Sequence, residues 1–301
     1  MPRAFLQYDV FTSEPLTGNQ LAVFPDGRGL SAERMQAIAR EMNFSESTFI
    51  LPAEESATDI RMRIFTPGSE LPMAGHPTIG STFALAEIGV LAPGRARLVF
   101  GLNIGPTPVD LEWNGGGSLR FAWMNQRLPQ FGAIVSDRAA VAGLLSLSPD
   151  DLHPSLPVQQ VSCGVPYALI PLRSREAVDR VITDIGAIRR LGSPPWLEHG
   201  ILVFALTSDD GAGIYSRMLA PQIGIAEDPA TGSAGGPLGS YLVTHGAVSG
   251  DAQHRLINAQ GVHMQRPSRI HIDIGGDASR ITSVRVGGEA VLAARGELLV
   301  E

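Results

Sequence analysis

Three acid-base side chains stand in settings that could do proton chemistry. Glu46 lies in Phe44-Ser45-Glu46-Ser47-Thr48-Phe49, between two serines, where a helical pattern gives way to a strand-like one. Apolar segments on both sides would withdraw such a carboxyl from water and tune it for proton transfer. A solvent-exposed edge-strand glutamate would read the same way. His76 precedes Pro77 in Gly75-His76-Pro77-Thr78, and Asp228 precedes Pro229 in Asp228-Pro229-Ala230-Thr231-Gly232-Ser233. If each Pro opens a helix, both polar residues could be helix caps. In the other reading they face one another with Glu46 close by, the aspartate holding the imidazole in one tautomer and favouring its charged form. The motif alone leaves both open.

The settings of His76 and Asp228 are copies of one pattern. Arg63 to Ser81 reads RIFTPGSELPMAGHPTIGS and Arg217 to Ser233 reads RMLAPQIGIAEDPATGS. In each, a Pro follows the Arg, and a polar residue then precedes a second Pro, with Gly and Ser at matched offsets. The copies lie close to half the chain apart, which predicts a duplicated fold with two similar lobes.

Hydrophobic spacing supplies the elements that must position these residues. Strands are expected over 4–11, 20–24, 59–65, 201–206 and 214–219, with Asn19 in a turn-like context before the second. Met35, Ile38, Ala39 and Met42 fall at helical spacing, with Ser31 as N-cap and Asn43 as a left-handed C-cap, so a helix is expected over 32–42. Pro77 opens an expected helix over 77–88, closed by Gly89, and apolar residues cover so much of its circumference that it must be buried. A second such helix should start at Pro229, with Pro237 kinking or dividing it. Short helices are expected at 137–145 and 148–152, a surface helix at 174–191, and strands again from 269 to 300.

The expected fold is therefore α+β: two pseudo-symmetric lobes, each a β-barrel-like mixed or antiparallel sheet around a central buried helix. The boundary falls at 1–127 and 128–301, with the final strand able to return to the first lobe. A pseudo-twofold arrangement would bring both helix starts to a shared cleft. Unpaired N–H groups and the positive end of each helix there suit a small carboxylate. Gly75, Gly80, Gly232 and Ser233 are small enough to let it approach the backbone.

Composition narrows the function. The 301 residues carry a formal charge of −7, with 44% hydrophobic and 18% charged residues, as in an ordinary globular protein. No Lys/Arg run could follow a nucleic-acid backbone, so nucleic acid is not an expected partner. Arg3, Asp9 and Glu14 interrupt any signal-peptide core, and the longest uncharged stretch, Pro229 to Gly250, is too rich in Gly, Ser and Pro for a membrane span. A cytoplasmic protein without a membrane partner is the expectation. Cys163 is the only cysteine, which excludes an intramolecular disulfide and a multi-thiolate metal site.

GNQLAVF (Gly18 to Phe24), NFSESTFI (Asn43 to Ile50), RIFTPGSELPMAGHPTIG (Arg63 to Gly80) and EDPATGSAGG (Glu227 to Gly236) together resemble the phenazine-biosynthesis isomerase-like family, in the right order over nearly the whole chain. The resemblance implies the diaminopimelate epimerase type of fold, usually as a homodimer. It implies that Glu46 is the catalytic acid/base, that His76, Asp228 and Ser45 line the substrate and assist the proton movement, and that Gly75, Gly232 and Ser233 hold its carboxylate and polar atoms. Asn19 is expected among the substrate-binding residues. Gln20, Ser69 and Pro72-Met73 depart from the family pattern and bear on substrate identity. Diaminopimelate epimerase and proline racemase resemblances would place a Cys in each motif, and Cys163 is in neither, so a two-thiol racemase is excluded. The expected function is a cofactor- and metal-independent isomerase shifting a proton on a small carboxylate-bearing metabolite, a cyclic unsaturated one being among the candidates. A non-catalytic sensor of a small acid, or a dehydratase or epimerase on the same scaffold, is the alternative.

Overall fold

The computed structural model describes residues 2–192, 194–197, 199–207, 211–221, 224–248 and 252–300. The chain divides into two compact units, Met1–Asn125 with Gly287–Glu301, and Gln126–Val286.

The first unit contains β1 (Arg3–Val10), β2 (Asn19–Phe24), α1 (Ala32–Met42), β3 (Glu46–Pro52), β4 (Ile60–Phe65), β5 (Glu70–Leu71), α2 (Gly75–Glu87), β6 (Arg97–Leu102), β7 (Gly105–Trp113), β8 (Leu119–Asn125) and the late strand Ala290–Leu298. That late strand runs antiparallel to β1, and β1 to β2. The β2/β3 and β4/β6 pairs are parallel, while β3/β4, β6/β7 and β7/β8 are antiparallel. The short β5 returns antiparallel along β4.

Both faces of β2 and β3 are covered, and the period of two decides which residue meets which helix. Ala22, Phe24, Phe49 and Phe65 pack with Met35, Ile38 and Ala39 of α1. Phe24 and Phe49 stack with centroids 4.9 Å apart, and Phe65 meets Phe49 edge-on. The alternate residues face α2, where Thr48 Oγ1 lies 2.9 Å from Ser81 Oγ. Every residue of α2 from Gly75 to Leu85 is buried. The helix touches β1, β2, β3, β8 and Ala290–Leu298, strands from both ends of the series. The sheet is thus curled around α2 but not closed, so the expected barrel is an open one.

The second unit contains β9 (Gln130–Val135), α3 (Arg138–Leu144), β10 (Val158–Ser162), β11 (Pro166–Pro171), α4 (Arg175–Asp179), α5 (Ile185–Leu191), β12 (Ile201–Leu206), β13 (Ile214–Ala220), β14 (Ile225–Asp228), α6 (Gly232–Thr244), β15 (Gln253–Gln260) and β16 (Ser268–Asp277). Its pairings repeat those of the first unit. β10/β11 is antiparallel, β11/β12 parallel, β12/β13 antiparallel, β13/β15 parallel and β15/β16 antiparallel, with short β14 along β13. The strand bearing Arg217 therefore stands where the strand bearing Arg63 stands, and α6 follows β14 as α2 follows β5. α6 is buried from Gly232 to Val243 and touches β10, β11, β15 and β16. The fold is α+β.

The repeated Arg has the same task in both units. Arg63 Nε and Nη2 donate to the two carboxylate oxygens of Glu70, at 2.8 and 2.6 Å. Arg217 Nε and Nη2 donate to those of Glu227, at 3.0 and 2.8 Å. Each pair ties the loop ahead of the buried helix to the strand before it.

Several expectations need correction. α2 starts at Gly75, two residues before Pro77, because a proline in the first turn forfeits no helical hydrogen bond. α6 starts at Gly232, three residues after Pro229, because Asp228 still pairs with Met218 in the sheet. It is one continuous helix through Pro237, whose missing N–H removes the helical donor to the first-turn carbonyl of Ser233, while Gln126 Nε2 donates at 3.0 Å to the neighbouring Gly232 O. The expected helix over 174–191 is two short ones, α4 and α5. Among the described residues no helix is long and apolar enough to cross a membrane.

Candidate active site

Asn19 opens β2 rather than lying in a turn, and the parallel register Leu21↔Glu46 sets Asn19 and Glu46 near the same end of the sheet. Glu46 and Thr48 project from one face of β3, toward α2. His76 is the second residue of α2, and Gly80, one turn on, sits on the same side of the helix. A Cβ at Gly80 would lie 2.6 Å from Leu21 Cδ2 and 2.7 Å from Val10 Cγ2, so only glycine lets α2 lie this close to β1 and β2. That approach brings the imidazole down onto the strand ends.

The result is a buried group of three side chains. His76 Nε2 stands 3.1 Å from Glu46 Oε2, with the side chains 4% and 12% exposed. On the other side of the ring, Nδ1 stands 3.2 Å from Asn19 Nδ2, and Asn19 is fully buried. Burial lowers the His76 pKa from 6.5 to about 3, against a hydrogen bond to the backbone of Gln20 that raises it. The imidazole is therefore neutral at neutral pH. Desolvation outweighs any pull toward the charged form, and the Glu46 carboxyl expected close by lies beside the ring. The helix-cap reading of His76 is corrected, since Ala74 is the N-cap of α2. Ser45 is half-buried in the bend ahead of β3, and Gly75 is the first residue of α2.

In the second unit, Asp228 closes β14 and is 7% exposed. It does not cap α6, whose N-cap is Thr231. Thr231 Oγ1 donates to Asp228 Oδ2. Gln260 Nε2 donates to Asp228 O at 2.8 Å, and Ser268 Oγ donates to Pro229 O at 3.1 Å, so the Asp-Pro-Ala-Thr loop is fastened to β15 and β16. Gly232 and Ser233 form the first turn of α6, and Ser233 Oγ lies 2.7 Å from Tyr167 Oη. Neither α2 nor α6 has a side-chain cap bond or an acidic residue in its first turn. Each helix start therefore carries the positive end of its dipole without a capping side chain.

The family model described as phenazine biosynthesis-like protein matches residues 8–296. The chain belongs to this family. It is 37% identical over 303 residues, 99% of each chain, to an uncharacterized isomerase of Mesorhizobium japonicum. It is 36% identical over 294 residues, covering 97% of this chain and 98% of the other, to the trans-2,3-dihydro-3-hydroxyanthranilate isomerase of Pseudomonas aeruginosa. Among solved structures, the PhzF-family phenazine biosynthesis protein of Bacillus anthracis superposes over the full length of both chains with a TM-score of 0.87 and 29% identity. The chain is an isomerase of the phenazine biosynthesis-like family.

For this isomerase the lone cysteine is a packing residue. Cys163 is buried with Sγ 4.0 Å from Ser240 Oγ, and burial pushes its thiol up to about 12. Among the described residues no group of three or more His, Cys, Asp or Glu side chains is placed to hold a metal ion. Thr231, Gln260 and Tyr167 escaped the sequence reading. Thr231 carries a signal, since it lies inside the repeated motif, whereas Tyr167 and Gln260 come from strands with no motif.

Proposed function

We propose that this isomerase moves a proton between two carbons of a small carboxylate-bearing metabolite, a cyclic unsaturated acid of the dihydro-hydroxyanthranilate kind. Glu46 is the group that takes the proton and gives it back. A C–H bond breaks to Glu46, its electron pair spreads over the conjugated system, and the Glu46 O–H bond then breaks as a new C–H bond forms at the second carbon. The observation that carries the reading is the Glu46–His76 contact. A neutral imidazole beside the carboxyl places no fixed positive charge there, so Glu46 is not locked as a carboxylate and can take up and release a proton.

Gly75, Gly232 and Ser233 are assigned to the substrate carboxylate and polar atoms, with the uncapped starts of α2 and α6 as support. Ser45, Asn19 and Asp228 are assigned to the same reaction from their match to the family motifs. The name of the Pseudomonas relative supplies the first compound to try. Wild-type protein in deuterated water with trans-2,3-dihydro-3-hydroxyanthranilate and related small acids should place deuterium at a ring or allylic carbon, read by NMR. Ligands that bind without any carbon exchanging would contradict the proton shift.

A further inference from the structure

Thr231 and Gln260 touch Asp228 and have no assigned part in the reaction. We propose that they are positioning residues, a one-way chain of hydrogen bonds that holds Asp228 as a hydrogen-bond acceptor. The proposal rests on the reading above that Asp228 assists the proton shift.

Two backbone groups fix the direction of the chain. Gln260 is fully buried at the end of β15, with its amide facing the carbonyl of Asp228 at 2.8 Å and the N–H of Thr231 at 3.3 Å. A carbonyl can only accept and an N–H can only donate, so Nε2 must face Asp228 O and Oε1 must face Thr231 N. The reversed amide would oppose like to like at both contacts. The second proton of Nε2 then points at Thr231 Oγ1, 3.0 Å away. Thr231 Oγ1 therefore uses a lone pair on Gln260, and its single proton goes to Asp228 Oδ2.

Backbone packing keeps this order in place. Gly261 follows Gln260 with φ +75°, and a Cβ there would lie 2.3 Å from Arg266 O and 2.5 Å from Pro229 O. The Asp-Pro-Ala-Thr loop thus lies directly against the end of β15. Asp228 Oδ2 is thereby committed as an acceptor toward Thr231, which fixes the plane of the carboxyl group.

Neutron diffraction on the perdeuterated protein reads the chain without any substrate. The deuteron of Thr231 Oγ1 is expected on the line to Asp228 Oδ2, and a deuteron directed elsewhere overturns the proposal. In turnover of trans-2,3-dihydro-3-hydroxyanthranilate, Thr231→Val and Gln260→Glu should each lower kcat about 10- to 100-fold with little change in KM, the range set by one lost hydrogen bond to a charged group. Gln260→Glu keeps the size but offers the threonine proton a second acceptor. Thr231→Ser keeps the hydroxyl and should restore most of the rate. Equal losses in Thr231→Val and Thr231→Ser overturn the proposal, as does a wild-type kcat in Thr231→Val while Asp228→Asn is inactive. A wild-type kcat in Asp228→Asn instead overturns the reading on which the proposal rests.

Discussion

His76 Nε2 lies 3.1 Å from Glu46 Oε2, and the imidazole that makes this contact is neutral. The contact joins a helix start to a strand start. It exists because Gly80 lets α2 settle on β1 and β2, and because Thr48, two residues after Glu46, is tied to Ser81 on the same helix.

The neutral imidazole has a thermodynamic signature. Burial sets its folded-state pKa at about 3, below the ordinary 6.5 of the unfolded chain. Between these values the unfolded chain binds the proton and the folded one does not. Stability is thus full above pH 6.5 and drains as pH falls toward 3, at up to about 1.4 kcal/mol per pH unit for one group. Urea unfolding of wild type should weaken between about pH 7 and pH 5 more steeply than that of His76→Gln, by on the order of 1 kcal/mol per unit. Parallel pH dependences would contradict a buried neutral His76.

Gly80→Ala adds one methyl where 2.6 Å remains to Leu21 Cδ2. Alanine favours a helix over glycine by about 1 kcal/mol, but overpacking a tight contact costs about 1–3 kcal/mol, so overpacking prevails. The variant should unfold at lower urea and lose more turnover than its stability loss explains, because α2 is pushed off the strands that carry Asn19 and Glu46. Unchanged turnover with a lowered midpoint would separate helix packing from the chemistry.

The two copies of the Arg–Glu pair should differ in worth. Arg217 is 6% exposed and Nη1 also donates to the carbonyls of Val178 and Val181, each at 3.0 Å, so its removal strands Glu227 and the end of α4. Arg63 is 21% exposed, and water can replace it. Chemical denaturation should find Arg217→Ala destabilised by about 3–5 kcal/mol and Arg63→Ala by about 1 kcal/mol. Equal losses would show that burial does not set the difference.

Much of this was legible in the residues themselves. The RIFTPG and RMLAPQ strands, their pairing with a following buried helix and the α1 caps at Ser31 and Asn43 all follow from spacing, because one buried face imposes one period. The helix starts at Gly75 and Gly232 were not legible. In one case a proline is tolerated inside the first turn, and in the other a sheet pairing at Asp228 holds the chain extended past Pro229. The closeness of Glu46 to His76 was legible as one of two readings, whereas the 3.1 Å contact itself depends on a parallel strand register and on the space beside Gly80. Gln260 carries no local signal, because its amide matters only where Gly261 folds β15 against the Pro229 loop.

Cys163 gives a clean control for the mechanism. A buried thiol pushed up to about 12 is neither a base nor a nucleophile at neutral pH. Cys163→Ala should keep turnover near the wild-type value, and the native protein should resist iodoacetamide. Loss of activity without loss of fold would bring a thiol back into the chemistry.

The most direct test of the central claim is the rate of deuterium incorporation by Glu46→Gln, measured by NMR on the same compound and at the same enzyme concentration as wild type. Glutamine keeps the shape and the His76 contact while removing the base. The account predicts a fall of about 10²- to 10⁴-fold with the ligand still bound. Incorporation at the wild-type rate would contradict it and leave proton transfer to another group.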